Sequence, residues 1–127
     1  MACCSLIDVG GTFYGTTEEG GKSAFGTVFS ITPSGDETIL YSFTTSSNPG
    51  GSLLNVGGTL YGTTFLGGSA AVGTLFSLSA HGEQVVYSFT GEPNAADPTT
   101  GVIKLGGSLY GTASGGLGYG TVFSISP

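Results

Sequence analysis

Apolar residues in this chain come in short runs that alternate with Ser, Thr or Gly, and each run breaks at Gly, Pro, Asn or Asp. Ile39-Leu40-Tyr41-Ser42-Phe43-Thr44 and Val85-Val86-Tyr87-Ser88-Phe89-Thr90 are typical. Such runs, rich in Val, Ile, Leu, Phe, Tyr and Thr, predict β-strands. No segment sustains the helical period over three turns, so helix content is expected to be near zero.

The runs recur with a period of about 48 residues. Tyr-Gly-Thr stands at 14–16, 61–63 and 110–112, each time preceded by a Gly-Gly pair and followed by a Gly-rich loop. A second run follows: Gly26-Thr27-Val28-Phe29-Ser30-Ile31, Gly73-Thr74-Leu75-Phe76-Ser77-Leu78 and Gly120-Thr121-Val122-Phe123-Ser124-Ile125. The run containing Tyr41 has a second copy at Tyr87 and no third, because the sequence stops at Pro127. Gly10-Gly11, Gly57-Gly58 and Gly106-Gly107 read as two-residue hairpin turns, and 33–36 and 80–83 as a second turn. Each repeat is therefore expected to form four antiparallel strands, in the first copy 6–9, 12–17, 26–32 and 38–44. The repeats span 5–44, 52–90 and 101–127 of one domain, and the third lacks its last strand.

A four-stranded unit repeating at 40–50 residues is the signature of a β-propeller blade. The turns of a β-solenoid are shorter than this period. A single sandwich of 11 strands is the other alternative, but it does not require strict repetition. Three blades do not close a ring, since propellers have about 4–8. Two chains would supply six, so the sequence predicts a homodimer forming a six-bladed ring.

The same residues carry a resemblance. Gly-x-Leu-Tyr-Gly-Thr-Thr, a Gly-Gly loop, Gly-Thr-Val-Phe-x-Ile, Ser-Gly and Leu-Tyr-Ser-Phe resemble the tandem GloVer repeats of bacterial secreted and cell-surface proteins, from Ser5 onward. The resemblance implies a β-propeller-like fold and an extracytoplasmic setting. It implies no particular activity and transfers no catalytic residue. The start, Met1-Ala2-Cys3-Cys4, has neither the basic nor the long apolar region of a signal peptide.

Composition narrows the partners. Two basic residues against eight acidic ones give a net charge of −6, which excludes the cationic footprint of nucleic-acid or anionic-membrane binding. No apolar run reaches the length of a membrane-spanning helix. Gly accounts for 25 of 127 residues, yet a mean hydropathy of +0.30 argues against disorder. Cys3 and Cys4 are adjacent, so a disulfide between them would be strained, and free thiols are the simpler reading.

Candidate chemistry is sparse. His81, the only histidine, falls in a turn, and one misplaced His leaves no Ser-His-Asp triad. The position ending the first strand of each repeat reads Asp8, Asn55 and Lys104, which is either tolerated variation at the surface or divergence around a channel that binds a small-molecule ligand. The loops joining one repeat to the next, and those between the second and third strands, collect oxygen donors on one face. Glu92, Asn94, Asp97 and Asn48 are the candidate ligands for Ca²⁺, a hard cation that takes oxygen ligands. Glu18 and Glu19 are the candidate carboxylates to activate water while the ion polarises a carbonyl. The sharper expectation is thus a calcium-assisted hydrolase of a small ester or lactone, partly by analogy with six-bladed enzymes of that kind. The alternative is a non-enzymatic module that binds a ligand or glycan or serves a structural role at a surface.

Overall fold

The computed structural model describes residues 6–45, 47–91, 97–98, 101–115 and 120–127. Among these there is no helix, and eleven strands form three antiparallel sheets. The first holds β1 (Ile7–Val9), β2 (Thr12–Thr17), β3 (Thr27–Ile31) and β4 (Glu37–Ser42) in chain order. The second repeats that order with β5 (Pro49–Val56), β6 (Thr59–Thr64), β7 (Thr74–Ser79) and β8 (Gly82–Ser88). The third has β9 (Ile103–Leu105), β10 (Ser108–Ala113) and β11 (Thr121–Ile125). Three blade-like sheets with four, four and three strands match the reading of the sequence. The one large shift is β5, which begins at Pro49 and carries an irregularity between Gly50 and Leu54.

Local chemistry accounts for the repeated motifs. Gly10 and Gly11 have φ of 62° and 91°, and Gly57 and Gly58 have 60° and 93°. This is the type I′ hairpin turn, whose twist suits antiparallel strands and which needs positive φ at both residues. In Tyr-Gly-Thr the glycine leaves room for the Phe directly across the ladder: Gly15 pairs with Phe29, Gly62 with Phe76 and Gly111 with Phe123. A Cβ on Gly62 would lie 2.6 Å from Phe76 Cζ.

The threonine after that motif forms a latch. Thr64 Oγ1 donates to the Leu66 carbonyl at 2.7 Å, so its single proton is used. The 2.7 Å bond to Thr74 Oγ1 must then be donated by Thr74, and Thr64 also accepts from the Thr74 N–H at 3.1 Å. Thr17 and Thr27 repeat this arrangement. Ala113 removes the latch from the third sheet, where Thr121 Oγ1 donates to the Gly115 carbonyl at 2.9 Å instead.

Strand alternation gives each sheet two apolar faces. One carries the tyrosine of Tyr-Gly-Thr, and the other carries the paired phenylalanine. The tyrosine face of the first sheet (Ile7, Tyr14, Val28, Tyr41) packs on the phenylalanine face of the second (Leu53, Leu60, Phe76, Leu78). The tyrosine face of the second (Leu54, Tyr61, Leu75) packs in the same way on Val102, Leu109, Phe123 and Ile125 of the third. Edge-to-face rings mark both junctions, Phe43 on Phe76 at 5.3 Å and Phe89 on Phe123 at 4.9 Å between centroids. A bulge opposite Val28/Phe29, repeated opposite Leu75/Phe76, leaves Leu40 and Val86 as the extra residues.

Candidate functional site

The antiparallel order puts the β1–β2 and β3–β4 turns at one end of the sheets and the β2–β3 and inter-repeat loops at the other. At the turn end, Asp8 Oδ1 accepts from the Gly11 N–H at 2.9 Å, and Asn55 Oδ1 accepts from the Gly58 N–H at 3.1 Å. The varying position is therefore a turn cap: each side chain satisfies an amide that the hairpin leaves over. Lys104 has no acceptor to offer and is exposed. In its turn Gly106 has a φ of 62°, while Gly107 does not share the positive φ of Gly11 and Gly58. His81 is exposed in the two-residue turn after β7, where its N–H donates to Ser79 Oγ at 3.2 Å.

At the loop end, Asn48 and Asp97 occupy equivalent places, each immediately before a proline. Both have left-handed backbone, with φ of 48° and 53°, which Asn and Asp tolerate better than most residues. The Asn48 carbonyl accepts from the Phe65 N–H at 3.0 Å, and the Asp97 carbonyl accepts from the Ser114 N–H at 3.2 Å. The Asp97 N–H donates to the Val72 carbonyl at 2.7 Å, tying the third repeat to the second. Pro49 and Pro98 follow and are buried. Two of the four candidate calcium ligands thus act through their backbones: Asn48 extends the β5–β6 ladder of its own sheet, and Asp97 ties the third repeat to the second.

The other two, Glu92 and Asn94, lie outside the described residues, as do Cys3 and Cys4. Glu18 is half-buried and Glu19 exposed in the β2–β3 loop, and the Glu19 carbonyl takes the Thr17 hydroxyl. Among the described residues, no three of His, Cys, Asp and Glu gather as a group able to hold a metal ion.

Two clefts open between the first and second sheets. One of about 280 Å³ lies near the turns and is lined by Val9, Tyr14, Leu40, Asn55, Leu60 and Leu78. The other, of about 220 Å³, lies between β4 and β8 and holds Tyr41, Thr45, Ser47, Thr64 and Glu83. There the Tyr41 hydroxyl and the Glu83 carboxylate face the same cleft from neighbouring sheets and perturb each other. Burial raises the Glu83 carboxyl above its ordinary value, and the bond from Tyr41 offsets only part of that rise. Burial also raises the Tyr41 hydroxyl, with the charge and hydrogen bond of Glu83 adding to it. Sequence reasoning missed this pair, although its signal recurs: an acid stands four residues before the tyrosine at Glu37/Tyr41 and again at Glu83/Tyr87.

A carboxyl whose pKa is raised on folding binds its proton more tightly in the native state, so stability falls as pH rises from the unfolded value through the folded one. Glu83→Gln removes that ionisation. Its melting temperature should gain on the wild type as pH rises through this window and match it most closely below, as thermal scans across pH 4–7 will register. A difference between the two proteins that is flat with pH would refute the assignment.

The sequence model of a family described as the Gloeobacter/Verrucomicrobia repeat matches residues 3–127. No curated protein matches the chain.

Proposed function

The chain belongs to the Gloeobacter/Verrucomicrobia repeat family, and from this we propose that it acts as a non-enzymatic structural module whose repeats stack face on face as propeller blades. One observation carries the reading: the residues that recur from repeat to repeat are engaged in building sheets and joining them. Gly62 admits Phe76, Thr64 and Thr74 latch a loop, Asn48 extends its own sheet and Asp97 ties the third repeat to the second. Asp8 and Asn55, the polar positions that vary, cap turns. A structural role accounts for all of these, and function in such a module resides in its surfaces and in what they assemble with.

The alternative of calcium-assisted ester or lactone hydrolysis needs the carboxylate of Asp97, whereas the structural reading needs its left-handed backbone. Asp97→Gly deletes the carboxylate but keeps the backbone; Asp97→Ala deletes both. The structural reading expects the Ala variant to be less stable than the Gly variant by about 1 kcal/mol. It also expects melting to be unchanged by calcium or chelator, and no turnover of an ester and lactone panel. Equal losses in the two variants, together with chelator-sensitive melting or turnover, would replace it with the hydrolytic one.

A further inference from the structure

Each position of the repeat occurs three times, so its burial inside the stack can be compared with its burial at an end. On the tyrosine face, Val28 of the first sheet and Leu75 of the second are both 0% exposed, whereas the equivalent Val122 of the third is 75% exposed. Ile103 and Leu105, equivalents of Ile7 and Val9, are exposed beside it. With Tyr110 and Val122, Ile103 lines a shallow, open depression of about 280 Å³. On the phenylalanine face the reverse holds along one edge, at Leu6 and Phe13, while Phe29 itself is 8% exposed. Leu53 and Val102 are 4% and 6% exposed, while Leu6 of the first sheet is 49% exposed. The half-buried Phe13 stands there beside Leu6, where the second and third sheets bury Leu60 and Leu109.

The two ends are therefore not alike. One presents a bare tyrosine face and the other a phenylalanine face uncovered along its Leu6–Phe13 edge, and these are the two kinds of face that pack together twice within the chain. A surface that already has a complementary partner of known geometry on the same molecule is satisfied by a second copy, and the contact is heterologous rather than isologous. We infer that two copies associate head to tail, the tyrosine face of the third sheet in each covering the phenylalanine face of the first sheet in the other, and so close a six-bladed ring. This rests on the structural reading above and adds the partner, the two faces and their polarity. Charge is sparse at the contact: Lys104 stands between Ile103 and Leu105 in β9 and pairs with Leu109 on the opposite face of the third sheet, and Asp8 pairs with Phe13 in the first.

A mixing experiment tests it. The wild-type chain should have the mass of two copies by analytical ultracentrifugation at tens of micromolar. Val122→Glu spoils the tyrosine face alone and Leu6→Glu the phenylalanine face alone, so each variant should run as a folded monomer, its fold checked by far-ultraviolet circular dichroism. Mixed in equal amounts they retain one intact pair of faces, and a 1:1 heterodimer should reappear. A monomeric wild type overturns the inference. So does a Leu6→Glu variant that still dimerises, since that means like faces meet, and so do species longer than two chains, since the ring then does not close. If Leu6→Glu misfolds, Phe13→Glu replaces it on the same face. None of these outcomes depends on calcium or turnover, so a failure here is distinct from a failure of the structural reading.

Discussion

Phe76→Ala is expected to remove about 3–5 kcal/mol of stability, the usual cost of truncating a fully buried phenylalanine. Domains of this size hold about 5–15 kcal/mol in total, so the variant should lie at or near the edge of folding. The expectation rests on location as much as on side-chain size. Phe76 is fully buried, its ring stacks edge-on against Phe43 of the neighbouring sheet, and it lies over Gly62 in its own ladder. Its removal opens a cavity on both sides of one junction, and Gly62, with no side chain, cannot fill it. A companion variant isolates the glycine. In Gly62→Ala the new Cβ would meet Phe76 Cζ at 2.6 Å and Leu53 Cδ2 at 2.9 Å, which costs about 1–3 kcal/mol by overpacking. The double variant Gly62→Ala/Phe76→Ala should be less damaging than the two single losses added together, because the methyl then occupies part of the cavity. Urea unfolding of the four proteins gives the coupling, and strict additivity would show that the two residues do not interlock.

Much of this architecture was legible in the sequence, because strand existence depends on alternation and on glycine placement, and both repeat. Gly-Gly between alternating runs fixes a hairpin, and Val9 pairs with Thr12 across it as that turn requires. The contacts between repeats were not legible. The bulge that inserts Leu40 shifts the pairing so that Ile39 faces Phe29 and Tyr41 faces Val28, and this displacement depends on packing against the next sheet rather than on any local residue preference. Tyr41 and Glu83 lie in different repeats, and they meet only once the sheets stack with the right offset. Asn48-Pro49 and Asp97-Pro98 recur one repeat apart, and their side-chain oxygens suit metal ligation, while the backbone performs the observed role. A side chain selected for the φ it tolerates looks the same in sequence as one selected for its charge.

That distinction underlies the second large effect expected, at Gly73. Its φ is 110°, and a Cβ there would lie 2.5 Å from Pro98 Cδ and 2.6 Å from the Thr64 carbonyl oxygen. One of those neighbours is backbone and the other is a proline ring held by the Asp97 joint, so neither side can yield cheaply. Gly26 stands in the same place one repeat earlier, with φ of 106° and Thr17 O and Pro49 Cδ at 2.5 and 2.6 Å. Gly120 is the third copy, with φ of 87° and, among the described residues, only the Ala113 carbonyl nearby, at 3.4 Å. Alanine at all three positions incurs the backbone cost of a positive φ, about 1–2 kcal/mol. At Gly26 and Gly73 it adds an overpacking cost of about 1–3 kcal/mol. Gly73→Ala and Gly26→Ala should therefore unfold at clearly lower urea concentration than Gly120→Ala, measured on dilute monomer so that assembly does not enter. Equal losses at the three sites would mean that proline packing contributes nothing to the joint. The series also separates the two readings of the loop end. A joint closed by proline against glycine gains nothing from calcium, so the deficit of Gly73→Ala should persist when the ion is added in excess. A joint organised around a bound cation would recover part of that loss, because a ligand that binds only the folded form stabilises it in proportion to the logarithm of its concentration.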